Sequence, residues 1–149
     1  MQRSKRWMAV VLIITCLQLS ACTQTSKDEA SKSEPAKVER LEGTNLYRVI
    51  LSTEAAERLD IQTAPVRDAE GEDSGTKQKA IPYSAVLYDP NGETWTYTNP
   101  EPLIFVRHRI TIDYIDEDLA FLLDGPPSGT AVVTVGAAEL FGIELGVGH

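Results

Sequence analysis

Tyr83-Ser84-Ala85-Val86-Leu87-Tyr88, then Asp89-Pro90-Asn91-Gly92, then Glu93-Thr94-Trp95-Thr96-Tyr97-Thr98 reads as a strand, a turn and a returning strand. Pro90 supplies the fixed φ of the second turn position, and Asn91 and Gly92 tolerate the positive φ that reverses the chain. The arms carry Val, Thr, Tyr and Trp, which pack well on a pleated, half-buried surface. No other stretch of this 149-residue chain carries so strong a local signal, and it is a β signal.

The pattern continues downstream. Pro100 and Pro102 interrupt pairing before a strand over Leu103 to Tyr114, fed by Ile104, Val106, Ile110 and Ile112. The acidic turn Asp116-Glu117-Asp118 leads into a strand from Leu119 to Leu123. Gly125-Pro126-Pro127-Ser128-Gly129 then turns the chain into Ala131 to Val135, and Ala137 to Phe141 suits one helical turn. Upstream, Leu46 to Leu51 is a strand, Ser52 and Thr53 offer N-cap oxygens, and Ala55 to Leu59 are helix formers. A strand over Ile61 to Val66 follows. Arg67 to Lys79, with four acids, two glycines and no large apolar residue, reads as a loop joining the two halves. Lengthening such a loop costs little, about 0.6 kcal/mol per doubling. The expectation is a mainly β domain over 44–145: six or seven short strands in a small β-roll or open barrel, with one or two short helices.

The N-terminus is of another kind. Arg3, Lys5 and Arg6 precede an apolar run from Trp7 to Leu17, which small residues and a cysteine close as Leu19-Ser20-Ala21-Cys22. Charge, apolar run and small residues in that order mark a secretory signal over 1–21. The run is short for a membrane span of roughly 20 apolar residues. Its ending resembles the bacterial lipobox, which implies lipidation of Cys22 and anchoring outside the cytoplasm, on the cell membrane or the outer membrane. One myristoyl-length chain binds only marginally at about 0.8 kcal/mol per methylene, so two chains are needed for stable residence. Cys16 leaves with the signal, and Cys22 becomes a thioether, so disulfides, cysteine metal sites and cysteine nucleophiles are excluded. From Thr23 to about Arg40 the chain is polar with Val38 its only sizeable apolar residue, and 22–43 reads as a lipid-anchored, disordered tether. Its reach is about 25 Å.

Loss of the signal removes three of fourteen basic residues and none of the twenty-two acidic ones, leaving eleven against twenty-two and a net charge near −11. Such a chain is a poor ligand for nucleic acid, whose affinity rests on Lys and Arg.

Three phrases carry a second resemblance: Ile81-Pro82-Tyr83-Ser84-Ala85-Val86-Leu87-Tyr88, Gly92-Glu93-Thr94-Trp95-Thr96-Tyr97, and Gly129-Thr130-Ala131-Val132-Val133-Thr134-Val135-Gly136-Ala137-Ala138-Glu139-Leu140. Together they resemble the membrane-proximal domain of periplasmic adaptor subunits (membrane fusion proteins) of resistance-nodulation-division efflux pumps. The stretch Ala56 to Val66 is similar to one near the N-terminus of many such adaptors. In full adaptors a lipoyl-like domain, an α-hairpin and a β-barrel separate the two ends, whereas here only Arg67 to Ala80 does. The resemblance implies the membrane-proximal domain alone, with Ile61 to Val66 paired to the C-terminal block rather than to Leu46 to Leu51.

Catalytic and metal chemistry find little to build on. His108 stands between Arg107 and Arg109, and the only other histidine, His149, ends the chain. Asp113, Asp116, Glu117 and Asp118 lack the offsets of an EF-hand loop and suit a solvated hairpin tip. Ser84 and Ser128 have no base at recognisable spacing and no Gly-x-Ser-x-Gly elbow, and no glycine loop cradles a phosphate. Trp95 and Tyr97 share a strand face and suit packing. The expected function is therefore non-catalytic, without metal or cofactor: an interaction module related to efflux adaptors, accessory to a membrane transporter or another adaptor protein. The alternative is a small-ligand or metal-ion binding, sensing lipoprotein. An exposed apolar patch favours docking, and a closed polar pocket favours a ligand.

Cys22→Ser removes the only thiol available for lipidation. The processed, membrane-bound form should vanish on detergent partitioning, and normal processing of the variant into the detergent phase would contradict the lipobox reading.

Overall fold

The structure, a computed structural model, describes residues 34–71 and 75–146. The signal segment 1–21, Cys22, the first part of the expected tether and His149 lie outside the described residues. Within them the protein is mainly β: eleven strands in two antiparallel sheets, with two short helices and no closed barrel. In chain order these are β1 (Ala36–Arg40), β2 (Tyr47–Leu51), α1 (Thr53–Arg58), β3 (Gln62–Pro65), β4 (Arg67–Glu70), β5 (Lys77–Pro82), β6 (Leu87–Tyr88), β7 (Thr94–Glu101), β8 (Ile104–Arg109), β9 (Thr111–Asp116), β10 (Leu119–Asp124), β11 (Ala131–Val135) and α2 (Ala137–Glu144).

The larger sheet runs β1-β2-β8-β7-β11-β3, with β6 paired to β7 beside that path. The smaller runs β4-β5-β10-β9. One core joins the larger sheet to both helices through Val49, Leu51, Ala55, Tyr97, Phe105, Val133, Ala137 and Leu140. A second core lies where the sheets meet and holds Val66, Ile81, Ala85, Ile110, Ala120, Leu122 and Val132. The chain passes from the first sheet to the second at single residues. Val66 separates β3 from β4, and Ile110 separates β8 from β9, each 2% exposed. Their amides donate back to the first sheet, Val66 to the Thr130 carbonyl at 2.8 Å and Ile110 to that of Thr94 at 3.0 Å.

The Asp89-to-Gly92 turn forms as its residues demand. The Gly92 amide donates to the Asp89 carbonyl at 3.0 Å, and Gly92 takes φ +79°. The Asp89 Oδ1 accepts from the Asn91 and Glu93 amides at 2.8 and 2.9 Å. Desolvation acts to raise the Asp89 pKa, but those two amides and the Trp95 indole outweigh it and hold the carboxyl below its ordinary value. Ser52 caps α1 by accepting from the Ala55 amide at 3.1 Å, and Arg58 sits in the last turn, where the helix dipole favours a cation.

The strand β3 pairs with β11 (Ala131↔Pro65, Val132↔Ala64, Val133↔Thr63) and not with β2, matching the pairing that the adaptor resemblance implies. The strand number rises from the expected six or seven to eleven, and four further sequence expectations change. Part of the expected tether is structured: Ala36–Arg40 is an edge strand on β2, with Ala36 packed against the first core. An edge strand buries little, so a stretch this polar still pairs. Arg67 to Lys79 is not a plain loop, because β4 pairs with β5 and sets Glu70 opposite Lys77 and Asp68 opposite Lys79. Opposite charges face each other across this ladder, although Lys79 Nζ donates to the Gly125 carbonyl at 2.6 Å and Asp68 Oδ1 accepts from Ser128 Oγ; an insertion within these strands would break a sheet. Tyr83 to Tyr88 is only partly strand. Tyr83–Ala85 is a 3-10 turn that takes the chain from β5 to the two-residue β6. Leu103 to Tyr114 divides at Ile110 into strands of different sheets.

Gly136 opens α2 at φ +87°, and a Cβ built there would meet Ile61 Cδ1 at 2.2 Å. Gly129, at φ +89°, has nothing within 4 Å of that position. Gly136→Ala should therefore cost about 2–4 kcal/mol, backbone strain plus overpacking, and Gly129→Ala about 1–2 kcal/mol of strain alone. Urea unfolding of both variants checks this; equal losses would mean that Ile61 does not hold the start of α2.

Candidate functional site

The densest polar constellation lies between β7, β8 and α2. Alternation along β7 sends Trp95 and Tyr97 to the helix side of the sheet, and Tyr97 faces Arg107 across the ladder. The last turn of α2 brings Glu144 to the same place. Tyr97 Oη donates to Glu144 Oε2 at 2.5 Å, and Arg107 Nε and Nη2 donate to Glu144 Oε1 at 2.9 and 2.8 Å. The Arg107 guanidinium lies 4.6 Å from the Trp95 ring centroid and 5.2 Å from that of Phe141. The Glu144 side chain is 1% exposed and that of Arg107 14%. A carboxylate in the last turn of a helix opposes the helix dipole; Arg107 and the Tyr97 hydroxyl offset that. Breaking a buried pair by removing one partner typically costs about 3–5 kcal/mol. The cluster therefore docks α2 on the sheet and holds no open position for a substrate.

The residues singled out in the sequence fall around it without converging. His108 is half-buried, opposite Thr96 on the ladder, while Arg107 pairs with Glu144 and Arg109 with Glu93 at 2.7 Å. Asp113 Oδ2 accepts from Gln78 Nε2 at 3.0 Å. Glu117 takes φ +49° in the β9–β10 turn, as a hairpin tip requires. Ser128 Oγ donates to Asp68 Oδ1 at 2.5 Å, and Ser84 sits exposed in the 3-10 turn. Among the described residues no group of three or more His, Cys, Asp or Glu could hold a metal, and no helix is long and apolar enough to cross a membrane. Thr96 Oγ1 is buried with no hydrogen-bond partner among the described residues.

Two surface features escaped the sequence reading. Three of the exposed large apolar side chains lie around the passage from the second sheet to the first: Tyr83 in the 3-10 turn, Tyr88 on β6 of the larger sheet, and Ile115 near the β9–β10 tip. The Tyr83 amide donates to the Asp118 carbonyl at 2.7 Å, which ties the 3-10 turn to the β9–β10 tip just beyond Ile115. The Tyr83 hydroxyl, as hydrogen-bond partner, raises the Tyr88 phenol above its ordinary pKa, with desolvation adding to it. The second feature is a cleft of about 250 Å³ lined by Glu70, Gly71, Tyr114, Ile115, Asp116 and Phe121. Neither follows from spacing along the chain: both join residues more than thirty positions apart through the register of the second sheet.

Comparison with protein-family models, with curated proteins and with solved structures returned no match.

Burial raises the Tyr97 pKa, and the hydrogen bond to Glu144 and its negative charge add to that against the opposing Arg107. A raised folded-state pKa stabilises fully below the unfolded tyrosine value near 10 and loses that contribution as pH rises beyond it. Stability of the wild type should fall from about pH 10 upward. Tyr97→Phe should lose about 1.5–3 kcal/mol at pH 7 and show a shallower alkaline decline. Urea unfolding between pH 7 and 11 checks this, and an unchanged alkaline slope would remove Tyr97 from the account.

Proposed function

We propose that this protein is a non-catalytic lipoprotein of the bacterial envelope, anchored through Cys22 outside the cytoplasm, that docks on another envelope protein such as a transporter or its adaptor. The observation that carries the reading is the exposed Tyr83 and Tyr88 pair, at 42 and 54% exposure, where the 3-10 turn leads from the second sheet into β6, with Ile115, 45% exposed, near the β9–β10 tip to which the turn is tied. Tyrosines combine a large apolar body with a polar tip and are enriched in protein interfaces. The 3-10 turn is held at both ends, by the Asp118 carbonyl and by β6 on β7, so the patch is preorganised and loses little entropy on contact.

The gathering of the adaptor-like phrases supports the same reading. The upstream phrase supplies β3, the last phrase supplies β11 and the start of α2, and these pair with each other and, through Val132↔Thr98, with β7. A chain built from the two ends of an adaptor's membrane-proximal domain would need that junction. Among the described residues no long hairpin is present to reach across the envelope, so contact with a partner falls to the β surface and its distance from the membrane to the anchored N-terminal segment.

A photo-activated cross-linker at Tyr88, in the anchored protein in its native membrane, should capture one discrete transporter or adaptor protein, identified by mass. The capture should disappear in Tyr83→Ser/Ile115→Ser without loss of membrane attachment. Absence of any discrete adduct from positions 83, 88 and 115 would contradict the docking reading.

A further inference from the structure

We propose that the free edge of β1 pairs with β1 of a second copy of this chain, antiparallel and centred on Val38, giving a two-fold dimer. Among the described residues β1 pairs only with β2, so its outer side ends the larger sheet. The inward bonds fall on odd positions. The Leu41 amide donates to the Leu46 carbonyl at 2.9 Å, and the Pro35 carbonyl accepts from the Ser52 amide at 3.0 Å. Bonding alternates along an antiparallel strand, so the N–H and C=O groups of Ala36, Val38 and Arg40 point outward. An unpaired row of this kind is ready to join another strand.

The side chains select the occupant. A two-fold axis through Val38, perpendicular to the sheet, sets Val38 opposite the partner's Val38 and Ala36 opposite the partner's Arg40. Those are the positions whose backbone groups point outward, so the ladder closes. The same axis sets Lys37 opposite the partner's Glu39, and Glu39 opposite the partner's Lys37. Both pairs fall between the hydrogen-bonded positions, where facing side chains come closest. Opposite charges there stabilise a strand pair and like charges oppose it. Within its own chain Glu39 meets Lys37 at 2.6 Å and Arg48 at 2.5 Å, which holds its carboxylate on the sheet face that the partner's lysine reaches. Val38, 37% exposed, shares the other face with buried Val49 opposite it on β2. Pairing covers Val38 and carries that apolar row across the axis. Two other edges lack this match. β3 ends at Pro65, which has no amide to donate, and β4 centred on Ala69 sets Asp68 against the partner's Glu70.

The anchored reading above supplies the symmetry and the concentration. Ala36 follows Cys22 by fourteen positions, which span at most about 50 Å. In the paired strands the two Ala36 residues lie about 14 Å apart, four residues of strand rise. An axis along the membrane normal then brings both N-terminal segments to one membrane at equal height. Five residues of edge offer a modest interface, and confinement of both copies to one surface raises their effective concentration. An interface that uses the same patch on both copies closes at two and leaves no free β1 edge for a third.

The test is cross-linking of the anchored protein in its native membrane. Cys16 is lost with the signal and Cys22 is acylated, so a cysteine introduced by substitution is the one thiol available. Val38→Cys with a short bismaleimide should give a species of twice the chain mass. Gln62→Cys, on the opposite edge of the larger sheet, should not. Adding Lys37→Glu to Val38→Cys places like charges opposite each other twice and should cut the yield about tenfold. Lys37→Glu/Glu39→Lys/Arg48→Glu keeps every pair, within and between chains, with its signs reversed, and should restore the yield. No dimer from Val38→Cys, equal linking at Gln62, indifference to Lys37→Glu, or no recovery in the reversed variant would overturn the proposal. Linking of Val38→Cys to a different protein of discrete mass would give the edge to another partner and overturn the second copy as its occupant. The docking and anchoring readings are scored at other positions. A Tyr88 adduct without a Val38 dimer leaves docking intact and removes the strand pairing, and a Val38 dimer without a Tyr88 adduct does the reverse. A Val38 dimer in protein recovered free of the membrane contradicts the anchor and leaves the strand pairing.

Discussion

Two buried residues, Val66 and Ile110, make one domain out of two sheets. A strand that changes sheets must turn sharply while keeping its backbone groups satisfied, because buried amides without partners are costly. Here each crossing takes a single residue whose side chain enters the inter-sheet core and whose amide bonds back to the first sheet. The remaining crossings, the 3-10 turn at Tyr83–Ala85 and the Gly125-to-Gly129 turn, return the chain from the second sheet to the first. Gly129 closes the system, since its amide donates to the Val66 carbonyl at 2.8 Å. Val66 is therefore hydrogen-bonded on both sides to the segment leading into β11, and the alignment of β3 with β11 depends on it.

The first core depends on a different device. Its helix face is closed by α2, which begins at Gly136 pressed on Ile61 and ends at Glu144 held by Arg107 and Tyr97. Trp95 and Phe141 flank the guanidinium, so one cation neutralises the helix end while its aromatic neighbours keep most water away. The polar cluster is consequently structural. The exposed tyrosines sit instead at the passage between the sheets, Tyr83 in the 3-10 turn and Tyr88 on β6.

Much of this was legible in the residues. The Asp89-to-Gly92 turn, the Ser52 cap, the acidic β9–β10 tip and the Gly125-to-Gly129 turn follow from local chemistry that a short window contains. The β class followed from Val, Ile, Thr and Tyr between those turns. What escaped had a common cause. β1 and β4 are held by cross-strand partners rather than by their own apolar content, and an Arg-Asp-Ala-Glu strand looks like a loop until the Lys-Gln-Lys start of β5 is set beside it; only the end of β5, Ala80 and Ile81, is buried. The charge complementarity of Asp68 with Lys79 and Glu70 with Lys77 was the readable signal. The split at Ile110 had none, because a continuous β-forming run does not reveal which sheet each half joins. Arg107 and Glu144 stand 37 residues apart, so only the packing of α2 brings them together.

The central claim is that the two sheets fold as one unit through their buried crossings, and native-state amide hydrogen exchange tests it most directly. Cooperative units open with their own free energies, and the most stable amides exchange only through global unfolding. The account predicts that the Val66 and Ile110 amides exchange with the same free energy as amides of β7 and of β10, and that all of these shift together when urea is added. Exchange of Val66, Ile110 and β10 through a separate opening of lower energy, with β7 still protected, would show the second sheet to be an independent unit and would contradict the account.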